Sequence, residues 1–218
     1  MSLRTALVAL ALSAPLAGCI PGVGVLGNGD VVSETRAVTT FSALDVSNSL
    51  EVTIEVDPTA ALEVDLTLEA ESNLIEFVRT EVTGEVLDAT VVEPVTPTET
   101  MRITGTVALI DGVRASNSSD VAIDGVDVPT FEVNASNSSR VAVRGGADLL
   151  ILDVQNSADA DLEDLTVIDA EVDLSNSADA TICASGVVTG RVTNSASLTV
   201  LCGGDASAVE VTNSGSVE

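Results

Sequence analysis

The chain has 218 residues, which suits one domain with a sizeable core. It carries 34 acidic residues against eight arginines and no lysine, a formal net charge of -26, which speaks against nucleic acid and against electrostatic binding to anionic lipid. Histidine, tyrosine and tryptophan are absent too, so with lysine gone the usual general bases and Schiff-base nucleophiles are missing.

The N-terminus reads MSLRTALVALALSAPLAGC. Arg4 supplies a positive start, and Ala6 to Ala14 form an apolar run too short to span a bilayer. The stretch resembles a bacterial lipoprotein signal, with Leu16-Ala17-Gly18-Cys19 as its lipobox. That resemblance implies removal of residues 1–18 and acylation of Cys19, each buried CH2 adding about 0.8 kcal/mol of anchoring. With Ile20 rather than Asp in the next position, it also implies an outer-membrane destination, facing either the periplasm or the outside. Residues 19–29 are glycine-rich and read as a tether.

Residues 30–110 read as an N-terminal β region. FSALDVSNSLEVTIEVD and LEVDLTLEAE alternate apolar and polar residues, as half-buried strands do. The break at Asp57-Pro58-Thr59 predicts a hairpin or meander that caps the C-terminal half of the chain. Asn73 to Phe77 can hold one helical turn, and EPVTPTE is a proline-containing loop.

Residues 111–218 repeat. Asn-Ser recurs at Asn117, Asn137, Asn156, Asn176, Asn194 and Asn213, and once earlier at Asn48. A near-constant spacing of 18 to 20 residues marks a solenoid. Four and six residues after each Asn stand apolar pairs such as Val121 and Ile123, or Ala180 and Ile182. Two and four before stand others, such as Val154 and Leu152. These even offsets put the Asn on the apolar side of its strands unless a bulge intervenes. The residue two after is always small: Ser119, Ser139, Ala158, Ala178, Ala196 and Gly215. On the other parity, Asp120, Arg140, Asp159 and Asp179 form one outward column, and Asp124, Arg144 and Glu163 another, so stacked coils would flank each arginine with carboxylates. The prediction is an all-β fold: a parallel right-handed β-helix of about 19-residue coils, with two or three short strands per coil, stacked about 4.8 Å apart. The Asn amides would hydrogen-bond along a ladder, as stacked identical strands permit.

The whole pattern resembles the putative auto-transporter adhesin, head GIN domain family. The residues that carry the likeness are GNGDVVSETRAVTTFSALDVSNSLEVTIEVD, then LEAESNLIEFVRTEVTGEVL, then SNSADATI-like units, together covering about residues 27–218. The resemblance implies a β-helical domain in an exported bacterial protein, with an adhesin-like role, and brings no catalytic residues.

Read from the residues, two further functions stay open. ADADLEDL gathers Asp159, Asp161, Glu163 and Asp164, with Asp179 one coil away, and paired carboxylates can hydrolyse glycosides. Asp159, Asp161 and Asp179 can also offer oxygens to calcium, though neither an EF-hand nor an RTX repeat is present. The plainer alternative is a solvated acidic face, with no metal and no cofactor. Cys183 and Cys202 stand one coil apart, which predicts a disulfide. Asn117, Asn134 and Asn137 satisfy N-x-S/T, but the other Asn-Ser pairs do not, so glycosylation does not explain the repeat. A glycan or protein is the expected ligand class. The coil pattern still running at VTNSGSVE leaves an edge open to end-to-end or edge self-association. The leading expectation is a non-enzymatic, lipid-anchored scaffold of the cell envelope. The alternatives are a carboxylate-based polysaccharide enzyme on the same fold, or a calcium-dependent binding module.

Overall fold

The computed structural model describes residues 24–218. The signal stretch 1–18, Cys19 and residues 20–23 lie outside the described residues.

The chain begins with β1 (Val25–Leu26), then β2 (Val31–Thr39), β3 (Ala43–Ser47), β4 (Glu51–Val56) and β5 (Glu63–Glu71). A single 3-10 turn, Ile75–Phe77, sits where the sequence allows one helical turn. After it come β6 (Val78–Thr83), β7 (Val86–Val91), β8 (Val95–Thr96), β9 (Arg102–Val107) and β10 (Gly112–Ser116). Three long bent strands come next: β11 (Asp120–Ser136), β12 (Arg140–Gln155) and β13 (Asp159–Ser175). The chain closes with β14 (Asp179–Ala184), β15 (Val187–Val192), β16 (Ser197–Leu201), β17 (Asp205–Val211) and β18 (Ser216–Val217).

From β10 onward every pairing is parallel and one coil apart, which makes this half the expected β-solenoid. Val113 pairs with Val133, Val133 with Leu152, Leu152 with Val172 and Val172 with Gly190. On the next face Val121 pairs with Val141, then Ala160, Ala180 and Leu198. The register shifts after Ile123, Ala142 and Leu162, where each long strand bends onto a short third face. One such bend requires glycine: at Gly145, with φ of +136°, a Cβ would lie 2.1 Å from the Val126 carbonyl oxygen.

Between the first two faces stands the Asn-Ser corner. Asn117 (φ 54°) and Ser118 (φ 64°) are both left-handed, and the Ser119 N–H donates to the Ser116 carbonyl at 3.3 Å. This is a type I′ turn, and Asn is among the few non-glycine residues that tolerate its backbone. The same pair of positive φ values recurs at Asn137, Asn156, Asn176, Asn194 and Asn213. The small residue after each turn from Asn117 to Asn194 is buried against the coil below. Ser119 and Ser139 satisfy their hydroxyls there by donating to the carbonyls of Val46 (3.2 Å) and Ala115 (3.0 Å). Aliphatic residues fill the interior, and Phe131 is the bulkiest of the fully buried side chains.

The first half departs from expectation in three ways. FSALDVSNSLEVTIEVD and LEVDLTLEAE do not form a hairpin. β3 and β4, joined by a left-handed corner at Asn48-Ser49, make two faces of a solenoid coil. That coil lies parallel between β7 and β9 on one side and β10 and β11 on the other. β5 instead runs antiparallel to β9 and to β2, and β6 antiparallel to β7. Alternation reports one buried face and leaves the partner and its direction open. Secondly, the boundary near residue 110 does not separate cap from coils, because residues 43–56 belong to the stack. Thirdly, the described part of the expected tether is docked. β1 pairs with β8, and the Gly27 N–H donates to the Thr96 carbonyl at 2.9 Å.

Candidate functional site

The corner column is a continuous amide ladder. Each Asn Nδ2 donates to the Oδ1 of the Asn one coil nearer the N-terminal end. Asn117 donates to Asn48, Asn137 to Asn117 and Asn156 to Asn137, each at 3.2 Å. Asn176 donates to Asn156 at 3.1 Å, Asn194 to Asn176 at 3.0 Å and Asn213 to Asn194 at 3.2 Å. Asn48, which is 69 residues from Asn117 in sequence, ends the row by donating to Thr90 Oγ1 and the Val91 carbonyl. The ladder is exposed, and so not on the apolar side that even spacing implies. Two consecutive left-handed residues break the strand's alternation, so the Asn turns outward while the small residue two later turns in.

Two charged columns flank this ridge. On the face after the corner, register neighbours run Arg102, Glu51, Asp120, Arg140, Asp159, Asp179. Arg102 Nε donates to Glu51 at 2.9 Å and Arg140 Nε to Asp159 at 3.2 Å. Arg144 reaches Asp164 at 3.0 Å rather than Glu163, because the bend moves the register there. On the face before the corner the row reads Asp88, Asp45, Arg114, Asn134, Asp153, Asp173, Arg191, Glu210. Burial raises the Asp45 pKa, with Arg114 opposing and Asp88 adding. Burial likewise raises Asp153, with Asp173 adding and Arg191 opposing. Asp120 is raised in the same way, Arg140 opposing. Carboxylates therefore stand in adjacent pairs, of which Glu51 with Asp120 lies between Arg102 and Arg140, and like charges directly opposite each other repel.

Asp159 and Asp179 are register neighbours, and Asp161 faces Thr181 on the same side. Arg140 already engages Asp159. Among the described residues no group of three or more His, Cys, Asp or Glu side chains is arranged to hold a metal ion. Asn134 spends its amide on Glu132 Oε1 at 2.8 Å. Cys183 and Cys202 are joined, with their Cα atoms 5.1 Å apart. In strand register Cys183 faces Leu201, and Cys202 follows it in a turn with Gly203, both left-handed (φ 65° and 85°), which brings its sulfur back over Cys183.

Sequence reasoning missed Glu71. It ends β5 with no solvent exposure, yet it is a carboxylate. It accepts from Gly29 N–H (2.6 Å), Thr98 N–H (2.9 Å), Thr98 Oγ1 (2.7 Å) and Glu99 N–H (3.4 Å). The Thr98 hydroxyl, followed by these backbone donors, holds its pKa below the ordinary carboxylate value against the opposing effect of burial. A Cβ on Gly27 would lie 2.0 Å from a Glu71 oxygen, so Gly-Asn-Gly is the shape that lets the chain wrap this carboxylate. Arg36 braces the same end, donating to the carbonyls of Ile75 (3.1 Å) and Val78. The signal was in view as Gly27-Asn28-Gly29, but nothing in spacing links it to a residue over forty positions on.

Residues 40–204 match the family model described as putative auto-transporter adhesin, head GIN domain. The chain belongs to that family. No curated protein matches it. Several solved structures are similar in fold. One is a putative adhesin from Bacteroides fragilis, 15% identical, with a TM-score of 0.70 over 89% of this chain and 98% of that one. A putative lipid binding protein from Parabacteroides distasonis is 16% identical, with a TM-score of 0.53 over 88% and 98%. A putative adhesin from Parabacteroides merdae is 13% identical, with a TM-score of 0.53 over 90% and 98%.

Proposed function

We propose that this head GIN domain protein is an exported, lipid-anchored protein of the bacterial envelope whose solenoid is a non-catalytic binding scaffold of adhesin type. The observation that carries the reading is the outer surface itself. Rows of amides, hydroxyls and carboxylates stand in strict coil register, with arginines already engaged by carboxylates. Such a surface offers a repeating array to an extended ligand, such as a glycan or a protein strand. Ser is plentiful, but the chain has no histidine to activate it. Family membership supports an adhesin-like role in the envelope, and the lipobox at Leu16 to Cys19 supports the anchor.

Fractionation of cells making the native chain and a Cys19→Ala variant tests the anchor. The native protein is expected in the membrane fraction with acyl mass on Cys19, and the variant in the soluble fraction. Protease treatment of intact cells then separates outward from periplasmic display. A glycan array with the Cys19-free protein tests binding; no retention on any glycan, together with no captured envelope protein, would remove the scaffold reading.

A further inference from the structure

The envelope reading leaves open how the body meets the membrane. Apolar side chains exposed at the surface gather where the described chain begins. Leu26 is 63% exposed and Val92 50%, and Val25 and Val31 are exposed too. Hydrogen bonds stitch these residues into one rim. Val25 N–H donates to the Pro94 carbonyl at 2.9 Å, two residues from Val92. Asn73 Nδ2 donates to the Leu26 carbonyl at 2.8 Å, and Val31 pairs with Glu71. The Glu71 carboxylate, wrapped by Gly29 and Thr98, makes the rim rigid.

Cys19 lies five residues before Gly24. Five residues span at most about 18 Å even when fully extended. A lipid on Cys19 therefore holds Gly24, where the rim begins, within that distance of the bilayer surface. We propose that the β1 rim (Val25, Leu26, Val31 and Val92) is a membrane foot, seated in the headgroup region of a zwitterionic or neutral leaflet beside the anchor. The inference rests on acylation of Cys19. Asp30 and Glu93 border the rim, so an anionic leaflet is the disfavoured surface. A patch this small does not hold the protein on lipid alone. The tether raises its local concentration to the millimolar range, where weak apolar contact counts.

The chain contains no tryptophan, so one introduced indole reports its own surroundings. Residues 19–218 contain every described element, and with Cys183 and Cys202 joined they leave Cys19 as the free thiol. This protein is coupled through Cys19 to a maleimide lipid in phosphatidylcholine vesicles, as Leu26→Trp, as Val92→Trp, and as Ile168→Trp on the side of the coils. The first two are expected to blue-shift on coupling and to lose emission to acyl-brominated lipid, while Ile168→Trp does neither. If both rim reporters stay in water, or if Ile168→Trp is quenched equally, the foot is overturned. Finding Cys19 unacylated in protein from its own cells overturns the anchor, and the rim's nearness to lipid with it. A rim that stays wet on tethered vesicles overturns the foot alone.

Discussion

Between Asn117 and Asn213 each coil repeats the one before it, and β3 and β4 belong to the same stack, while the rest of the stretch between Val25 and Met101 repeats nothing. The coils gain stability in equal small steps: one parallel register, one corner, one amide hydrogen bond each. The N-terminal region depends on single arrangements without a neighbour to share the load: Glu71 in its cradle, Arg36 across the 3-10 turn, β2 laid antiparallel on β5. A solenoid that stacks can keep stacking, and its first layers are where the chain spends unrepeated chemistry to stop it. The comparison also says where damage spreads. Loss of one coil contact leaves the adjacent interfaces intact, whereas loss of the Glu71 cradle should loosen residues 24–30.

The largest local effect therefore lies at that cradle. Gly27→Ala places a methyl group against the Glu71 carboxylate, and the two cannot coexist without movement. Hydrogen exchange at residues 24–30 should speed by on the order of 100-fold as the segment detaches, with coils from β12 onward unchanged. Equal loss in both regions would show that the two are one cooperative unit. Next comes the disulfide. Cys202→Ser opens a loop of 19 residues and should cost about 3 kcal/mol of global stability, or fray the last coils alone. Two free thiols in the unfolded, unreduced native chain would remove the bond altogether.

Acid separates the two regions by sign. The Glu71 pKa is lowered from 4.5, so its stabilisation is complete above that value and is lost as pH falls through the lower folded value. Asp45, Asp120 and Asp153 are raised from 3.8, so their contribution is greatest at low pH and is lost as pH rises above 3.8 through their folded values. Acidification should thus loosen residues 24–30 while tightening the coil faces. Exchange rates, corrected for their intrinsic pH dependence, check this residue by residue. Parallel loosening of both regions would contradict it.

The coils were legible because they repeat. Six Asn-Ser pairs at near-constant spacing gave the period, and parity from each Asn separated Val121, Ile123 and their equivalents up to Leu198, which are buried, from Asp120 and Arg140, which are not. The columns of charge came from the same register. What was hidden depended on contacts between residues distant in sequence. β3 and β4 alternate just as β5 does, and only the partner strands make one a coil and the other a cap. Glu71 looks like the solvent-facing end of LEAE until Gly29 and Thr98 close over it. The outward turn of the Asn column was hidden for a local reason: a period-two count assumes extended backbone, and the corner has two left-handed residues in succession.

The smallest expected effect asks what the Asn at each corner is for. Asn156 does two things at once: it holds a φ of 57°, and it joins Asn137 to Asn176. Asn156→Leu removes both, and left-handed backbone alone costs a side chain with a Cβ about 1–2 kcal/mol. Asn156→Gly removes only the amide and keeps the backbone at no steric cost. The amides are exposed, so water replaces the lost partners, and the net value of each hydrogen bond falls toward the low end of roughly 0.5–1.5 kcal/mol. Thermal melts should then show Asn156→Leu clearly below the native protein and Asn156→Gly close to it. An unchanged melt for Asn156→Leu would deny the corner any role in stability. Equal losses in the two variants would mean that the ladder, rather than the turn, is what Asn contributes. In that case the row of amides gains strength by cooperating along its length, as polarised hydrogen-bond chains do. Asn213, at the end of the row, should then tolerate replacement better than Asn156 in the middle.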